Sequence, residues 1–311
     1  MRIAVTGGSG FVGRQLVKSL LAEHHQVQVF TRNPPAAAQV LGTHPQMSLI
    51  AYDPLKPLTW SAHLEGIEAV VNLAGEPLAG TRWTPAKKAE IRRSRVEGTR
   101  CLVDALGSLQ QKPAVMISSS AIGYYGSQQD DRERTESDPP AQDFLGQLSQ
   151  DWESAAQRVQ AFGIRLVILR TGIVLGPDGG ALALMVTPFQ LFIGGPIGSG
   201  QQWLSWIHRD DLVALIKFSL THPEVAGVLN GTAPHPVQMK DFCQVLGQVI
   251  GRPSWIPVPA LALEVLLGEA AQVVLTGQRV LPSRAAAAGF TFCYPDLPLA
   301  LRNIFVNSQE A

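Results

Sequence analysis

The sequence predicts an α/β fold in which a Rossmann-type doubly wound parallel sheet is followed by a smaller C-terminal α/β lobe. Up to about residue 172, short apolar segments with strand character alternate with segments of helical periodicity. This alternation requires parallel strands joined by right-handed crossovers. After that point glycine and proline become frequent, as in residues 176–180 and 194–200. We therefore predict a sheet domain of residues 1–172, to which the chain returns over residues 200–230. The smaller lobe is predicted within residues 173–311, and it includes a distinct C-terminal part from about residue 230.

The individual elements follow from apolar periodicity and capping residues. Strands are predicted over residues 3–6, 27–31, 48–52, 69–73, 114–118 and 165–169. Helices are predicted over residues 11–22, 85–106, 145–161, 212–220, 239–250 and 260–275. Thr84 is expected to cap the second helix, and Asp210 or Asp211 the fourth. The Pro/Ala tract 34–38 is expected to be a loop.

Composition excludes several classes of function. Basic and acidic residues number 25 each, whereas proteins that bind nucleic-acid phosphates carry an excess of Lys and Arg. The three cysteines are too scattered for a metal site or a disulfide framework. No signal peptide is evident, and the apolar stretch 261–275 is too short and too charged to span a bilayer. We expect a cytoplasmic protein with a small-molecule substrate and without metal, membrane or nucleic-acid partners.

The turn after the first strand has the glycine spacing of a dinucleotide-binding loop. Glycines allow a tight turn and a close approach to the pyrophosphate, while the following helix offers free N–H groups. The residues expected to contact the dinucleotide here are Gly7, Ser9, Gly10, Phe11, Val12 and Gly13. NAD-specific sites place an acid at the end of the second strand, but this chain has Thr31 and Arg32 there. Because a guanidinium suits a 2′-phosphate, the sequence predicts NADP(H) as cofactor.

Beyond these motifs, the sequence resembles the extended short-chain dehydrogenase/reductase superfamily. The matching segments are Thr6-Gly7-Gly8-Ser9-Gly10-Phe11-Val12-Gly13, Asn72-Leu73-Ala74-Gly75 and Ser118-Ser119-Ser120-Ala121. Further segments narrow the resemblance to an atypical, epimerase-like branch with its own small C-terminal domain, whose members were once labelled cell-division inhibitors or nucleoside-diphosphate-sugar epimerases. These segments include Gly123-Tyr124-Tyr125-Gly126, Arg170-Thr171-Gly172 and Gly251-Arg252-Pro253.

The resemblance implies further cofactor contacts. They would be made by Asp53, Leu73, Ala74, Gly75, Glu76, Arg82 and Ser118. For Asp53, the formation of a turn before Pro54 explains the residue equally well.

The resemblance also defines the expected chemistry. Enzymes of the superfamily combine a Ser or Thr hydroxyl, a Tyr that transfers the proton and a Lys that lowers the Tyr pKa. Ser120 holds the hydroxyl position, but residues 143–149 contain neither Tyr nor Lys. Tyr124 and Tyr125 then either donate the proton or pack against the nicotinamide end. Two functions stay open, an NADP(H)-dependent oxidoreductase or epimerase acting on a carbonyl or sugar-nucleotide-like substrate, and an NADPH-binding protein without turnover.

Other polar residues have two interpretations each. Lys88, Arg92 and Arg95 recur at helical spacing, and they either steer an anionic substrate or form a solvated helix face, which the charge pattern favours. His208 is either a base or a histidine held by local hydrogen bonds. The loop 194–203 is expected to form the substrate wall, and Trp206 either adds to this wall or packs in the core. By analogy with the superfamily, the helices 85–106 and 145–161 offer a homodimer interface.

Overall fold

Seven parallel strands form the central sheet of the structure, a computed structural model that describes residues 1–78, 82–127 and 130–306. In chain order they are β1 (Arg2–Thr6), β2 (Gln26–Thr31), β3 (Met47–Ala51), β4 (Ala69–Asn72), β5 (Val115–Ala121), β7 (Arg165–Thr171) and β11 (Gly227–Gly231). Across the sheet they run in the order β11-β7-β5-β4-β1-β2-β3. The predicted doubly wound sheet is confirmed, and the carboxyl ends of all seven strands lie at one edge.

In the described part of the chain, six short strands pair outside this sheet. They are β6 (Glu133–Arg134) with β13 (Arg279–Val280), β8 (Ile173–Leu175) with β10 (Trp206–His208), and β9 (Trp203–Leu204) with β12 (Val237–Gln238). The first pair joins the segment after β5 to the C-terminal lobe, so the lobe is tied to the carboxyl edge of the sheet.

Twelve α-helices are present among the described residues. They are α1 (Phe11–Ala22), α2 (Pro34–Leu41), α3 (Pro85–Arg92), α4 (Gly98–Ser108), α5 (Phe144–Gln157), α6 (Gly180–Gln190), α7 (Arg209–Thr221), α8 (Met239–Ile250), α9 (Ala260–Leu267), α10 (Gln272–Leu275), α11 (Ser283–Ala287) and α12 (Leu297–Phe305). Across 1–78, 82–127 and 130–306, no helix has both the length and the apolar character needed to cross a membrane.

The sheet is covered on both faces, and the lobe has a core of its own. Leu16 and Leu20 of α1 pack with Leu215 of α7 on one face. On the other face, α4 packs beside a cluster of edge-to-face aromatic rings formed by Phe30, Tyr52 and Trp60. In the lobe, apolar side chains of α6, α8 and α12 surround Trp206 of β10. Strand β10 belongs to the lobe core and is followed directly by α7, which packs on the sheet. The lobe core and the sheet core are therefore adjacent along the chain.

Three predicted helices lie where we expected them, but each is interrupted or ended by a turn of another helical type. The predicted helix 85–106 is interrupted by a π-helical turn at Arg93–Glu97 and ends at Ser108. Thr84 caps it as predicted, because its Oγ1 accepts from Lys87 N at 3.1 Å. The predicted helix 260–275 is broken by a 3₁₀ turn at Gly268–Ala271. The predicted helix 145–161 is α-helical over Phe144–Gln157 and continues as a 3₁₀ turn.

Two local predictions were wrong, and one strand of the central sheet was not predicted. The Pro/Ala tract is not a loop but the start of α2, because prolines are tolerated in a first helical turn and Asn33 Oδ1 accepts from Ala36 N at 3.1 Å. Asp210 and Asp211 do not cap α7. His208 does, accepting from Asp210 N through Nδ1 at 3.1 Å. Strand β11 was not predicted, since its sequence Gly-Val-Leu-Asn-Gly is too rich in glycine to read as a strand.

Candidate functional site

The glycine loop between β1 and α1 is packed so closely that side chains are excluded from it. Gly7 has a φ of +68°, and a Cβ there would lie 2.8 Å from the backbone carbon of Leu73. A Cβ on Gly13 would lie 2.2 Å from the backbone oxygen of Gly7. No side chain caps α1 at Gly10, so its first-turn N–H groups point out of the helix towards the loop. This is the arrangement in which a helix N-terminus holds a phosphate.

The residues around this loop have defined positions. Ser9 and Val12 are half-buried, at the start of α1. The ring of Phe11 packs on Gly179 and Gly180 of the lobe, and the Arg209 guanidinium carbon lies 5.1 Å from its centroid. The segment before α6 therefore covers one side of the loop.

At the end of β2, Thr31 is buried and the Arg32 side chain is 76% exposed. Arg32 Nη1 lies 3.7 Å from Glu76 Oε2, while Glu76 Oε1 accepts from Lys87 Nζ at 2.6 Å. The hydrogen bond from Lys87, more than any other contact, lowers the pKa of Glu76. Among the described residues, the guanidinium of Arg32 therefore has only this long polar contact with Glu76, and it faces solvent.

Asp53, after β3, has the hydrogen bonds of a turn former. Its Oδ1 accepts from Leu55 N at 3.1 Å, and its Oδ2 lies 3.2 Å from Lys56 Nζ. These two contacts, the Leu55 bond first, lower the pKa of Asp53. The turn-forming interpretation is therefore satisfied, and a contact with adenine stays a prediction.

The turn after β4 lies directly below the glycine loop. Leu73 packs on Gly7, and Ala74 N donates to Thr6 Oγ1 at 3.2 Å. Ser118 lies beside Asn72 in the sheet, fully buried, and its hydroxyl has no hydrogen-bond partner among the described residues. Gly75 follows, packed on Arg95. Arg82 is placed elsewhere, against Gly268 of the lobe.

A cavity of about 220 Å³ opens between the carboxyl edge of the sheet and the lobe. Its lining comes from the segment after β5, the first turns of α5, the end of β7 and the residues around α10. Residues that line it include Leu78, Arg95, Ala121, Leu145, Ser149, Trp152, Thr171, Trp203, Val273 and Gln278. Of the expected wall 194–203, Trp203 contributes, whereas Trp206 is buried in the lobe core.

A buried hydrogen-bond network lies beside this cavity. Ser120 and Arg170 are paired in register on β5 and β7, and Glu153 of α5 reaches both. Ser120 Oγ donates to Glu153 Oε1 at 2.7 Å. Arg170 donates to both carboxylate oxygens through Nε and Nη2, each at 2.8 Å. These two parallel hydrogen bonds compensate the negative charge of a carboxylate that has almost no contact with water. Sequence reasoning missed both Glu153 and Arg170 as partners of Ser120.

The two tyrosines surround Arg170. The Tyr125 hydroxyl donates to Asn230 Oδ1 at 2.7 Å and accepts from Arg170 Nη1 at 3.0 Å. Burial raises the pKa of Tyr125 to about 12. The Tyr124 ring stacks on the guanidinium, with its centroid 3.3 Å from Arg170 Cζ. Packing and hydrogen bonding thus account for both rings, and proton donation by either stays a prediction.

The predicted charged face of the second long helix is only partly solvated. Lys88 pairs with Glu269 at 2.5 Å, and Arg92 pairs with Asp151. Arg95 differs, since it is 8% exposed and lines the cavity. The π-helical turn at Arg93–Glu97 changes the rotation of the helix there, so 3.6-residue spacing could not predict this inward position.

His208 is a buried cap rather than an exposed base. Its side chain is 1% exposed, and its ring packs 4.0 Å from the ring centroid of Tyr294. Burial lowers the pKa of His208 to about 4. The interpretation as a histidine held by local hydrogen bonds is the one that this geometry supports.

Comparison with known proteins identifies two family matches. Residues 3–230 match the NAD dependent epimerase/dehydratase family. Residues 258–304 match a family described only as a domain of unknown function (DUF1731). The first match covers the sheet domain together with residues 173–199, and the second covers a C-terminal part of the lobe.

Individual relatives match nearly the whole chain. The epimerase family protein SDR39U1 homolog of Arabidopsis thaliana, described as chloroplastic, is 45% identical over 98% of this chain and 86% of that protein. The crystal structure of human SDR39U1 (isoform 2) with NADPH superposes with a TM-score of 0.86 at 34% identity, covering 98% of this chain and 99% of that one. A nucleoside-diphosphate sugar epimerase from Corynebacterium glutamicum gives a TM-score of 0.77 at 30% identity, covering 99% of this chain and 60% of that one.

Proposed function

Since this chain belongs to the NAD dependent epimerase/dehydratase family, we propose that it is an NADP(H)-dependent oxidoreductase or epimerase acting on a carbonyl or sugar-nucleotide-like substrate. The observation that carries the proposal is the position of the cavity at the carboxyl edge of the sheet, where it is lined by Ala121, the neighbour of Ser120, and by Arg95, which packs on Gly75 in the turn below the glycine loop. Ligands of open parallel sheets bind at this edge. NADPH in the crystal structure of human SDR39U1 supports the choice of cofactor.

The residues present fit this cofactor. The glycine loop leaves no room for a Cβ at Gly7 or Gly13, so its backbone is free to approach a pyrophosphate. The exposed Arg32 is available to a 2′-phosphate, and the unpartnered hydroxyl of Ser118 lies beneath the same edge. We assign the pyrophosphate to the loop and the first turn of α1, and the 2′-phosphate to Arg32.

When bound, NADPH supplies a hydride, and the protein must move the matching proton. In the proposed scheme Ser120 and Glu153 do so. When a hydroxyl is oxidised, Ser120 Oγ accepts its proton while the Ser120 proton passes to Glu153. In the reductive direction both protons return. Arg170 holds the carboxylate in place and offsets its buried negative charge, and Tyr125 accepts a hydrogen bond from Arg170 and so helps to fix the guanidinium.

A second candidate is an NADPH-binding protein without turnover. The observation that favours it is that the residues of α5 which line the cavity, Leu145, Leu148, Ser149 and Trp152, include neither a Tyr nor a Lys. Without them, nothing on this helix lowers the pKa of a proton donor.

The two functions are separated by measuring NADPH consumption against aldehydes, ketones, oxo acids and sugar nucleotides, together with epimerisation of the sugar nucleotides. For the enzyme, Ser120→Ala should lower kcat by roughly a hundredfold or more with unchanged NADPH affinity. Tyr124→Phe and Tyr125→Phe test the predicted phenol donors, since each keeps the ring. The matched control is Ser154→Ala on the exposed face of α5. If the unmodified protein neither consumes NADPH nor epimerises any compound, the non-catalytic function is the better proposal.

A further inference from the structure

Arg95 is a buried cation that the proton relay proposed above does not use. The π-helical turn at Arg93–Glu97 places it inside the protein, whereas Arg92 one turn earlier stays at the surface with Asp151. Arg95 Nη1 donates to the backbone oxygen of Glu76 at 2.8 Å, and its guanidinium carbon lies 5.2 Å from the Trp152 ring centroid. Its position is therefore fixed by a hydrogen bond and an aromatic ring.

Among the residues with defined positions, Arg95 forms no ion pair with a carboxylate, although the nearby charge of Glu76 acts on it. Within the described ranges 1–78, 82–127 and 130–306, no Asp or Glu oxygen is paired with Arg95, and the nearby Glu76 carboxylate is bound by Lys87 at 2.6 Å. Burial lowers the pKa of Arg95 to about 10, so the guanidinium keeps its charge at neutral pH. A buried charge without a partner is costly, and an anion entering the cavity would remove much of that cost.

The lining of the cavity defines what that anion can be. Arg95 is its only Lys or Arg among the described residues, and the walls beside it are mostly apolar, from Leu78, Leu145, Trp203 and Val273. We propose that Arg95 binds a carboxylate of the substrate, and that the substrate is a small monocarboxylate with an apolar body and a carbonyl or hydroxyl carbon. This inference rests on the proposed oxidoreductase function and narrows its substrate class.

A nucleoside diphosphate fits the same cavity less well. It carries more than one negative charge, and a single guanidinium cannot compensate them. The cavity volume of about 220 Å³ is also below the 300–1,000 Å³ of usual ligand pockets. A carboxylate, in contrast, matches the planar donor fork of one Arg.

The test compares carboxylates with their neutral amides, using protein saturated with NADP⁺ so that no reduction takes place. Butanoate, benzoate and 3-phenylpropanoate are titrated by calorimetry beside the three matching amides. At least one carboxylate should bind tenfold or more tightly than its amide. Arg95→Gln should reduce that ratio to below threefold, Arg95→Lys should keep part of it, and the matched surface control Arg92→Gln should leave it unchanged.

Three results would overturn the inference. The first is that no carboxylate binds the unmodified protein more tightly than its amide, a result that does not depend on how any variant folds. The second is that a sugar nucleotide binds more tightly than every carboxylate and loses this affinity in Arg95→Gln. The third is that Arg95→Gln weakens NADP⁺ tenfold without changing the carboxylate ratio, which would assign Arg95 to a cofactor phosphate. Failure of NADP⁺ to bind at all would instead contradict the proposed function, and the same titrations on cofactor-free protein would still test Arg95.

Discussion

Arg32 is the residue on which the choice between the two nicotinamide dinucleotides depends. We expect NADPH to bind more tightly than NADH, and Arg32→Ala to remove most of the difference. A charge-assisted contact with the 2′-phosphate gives roughly a ten- to hundredfold preference, and the exposure of this side chain favours the lower end. Titration of both nucleotides measures it, with the exposed Arg100→Ala as control. Equal affinities in the unmodified protein would contradict the assignment.

The stability that the His208 cap gives to α7 depends on pH. Burial lowers its pKa from 6.5 to about 4, so the native state favours the neutral ring. Its stabilising contribution is complete above pH 6.5 and is lost as the pH falls from 6.5 towards 4, by up to about 3 kcal/mol. His208→Asn keeps an acceptor for Asp210 N but cannot become charged.

Denaturant unfolding between pH 4 and pH 7 measures this dependence. The variant should lose less stability on acidification than the unmodified protein, while the exposed control His63→Asn should behave like the unmodified protein. Parallel curves for all three proteins would show that His208 is not the responsible group.

At the scale of elements, the β1–α1 turn depends on the absence of side chains. Gly13→Ala places a Cβ 2.2 Å from the backbone oxygen of Gly7, so the turn must open, at a cost of about 3 kcal/mol, and we expect dinucleotide binding to be lost with it. Gly163→Ala is the matched control. Gly163 has a φ of +76° and no atom within 4 Å of an added Cβ, so only backbone strain of about 1 kcal/mol is expected.

Melting temperatures and NADPH titrations of the two glycine variants provide the measurement. A Gly13→Ala protein that is as stable as Gly163→Ala and still binds NADPH would contradict the close packing of the turn. The π-helical turn in the long helix also acts locally, since the buried Arg95 lies within it and the exposed Arg92 lies just before it.

At the scale of the whole molecule, we predict that the sheet domain and the lobe do not fold separately. Leu175 and Trp206, which flank the part of the chain that holds the glycine-rich segments 176–180 and 194–200, are buried by side chains of α8 and α12. A chain that ends after Gly231 would expose them. Such a truncated protein should be insoluble or partly unfolded. A soluble fragment with an unchanged melting temperature would show that the two parts are independent.

Local signals were sufficient for much of the sheet domain. The bounds of α1 and α8 were predicted to the residue, and β1 to β5 and β7 to within about three residues, because apolar periodicity and caps act over a few neighbouring positions. Strand β11 escaped prediction because its stability comes from pairing with β7 at the sheet edge rather than from its own sequence. Helix α6 escaped because it begins at Gly180 and contains Pro188, two residues that weaken a helical pattern.

Some features of the candidate site could be predicted from the sequence, and others could not. The sequence by itself determined the glycine loop, the absence of an acid after β2 and the absence of Tyr and Lys from α5, since each depends on which residue stands at one position. Only the tertiary structure decided what surrounds Ser120, because Glu153 and Arg170 are 17 residues apart on two different elements, which meet by sheet register and helix packing. It also decided that Arg95 faces the cavity, because a π-helical turn changes the rotation of the helix without leaving a periodic signal in the sequence.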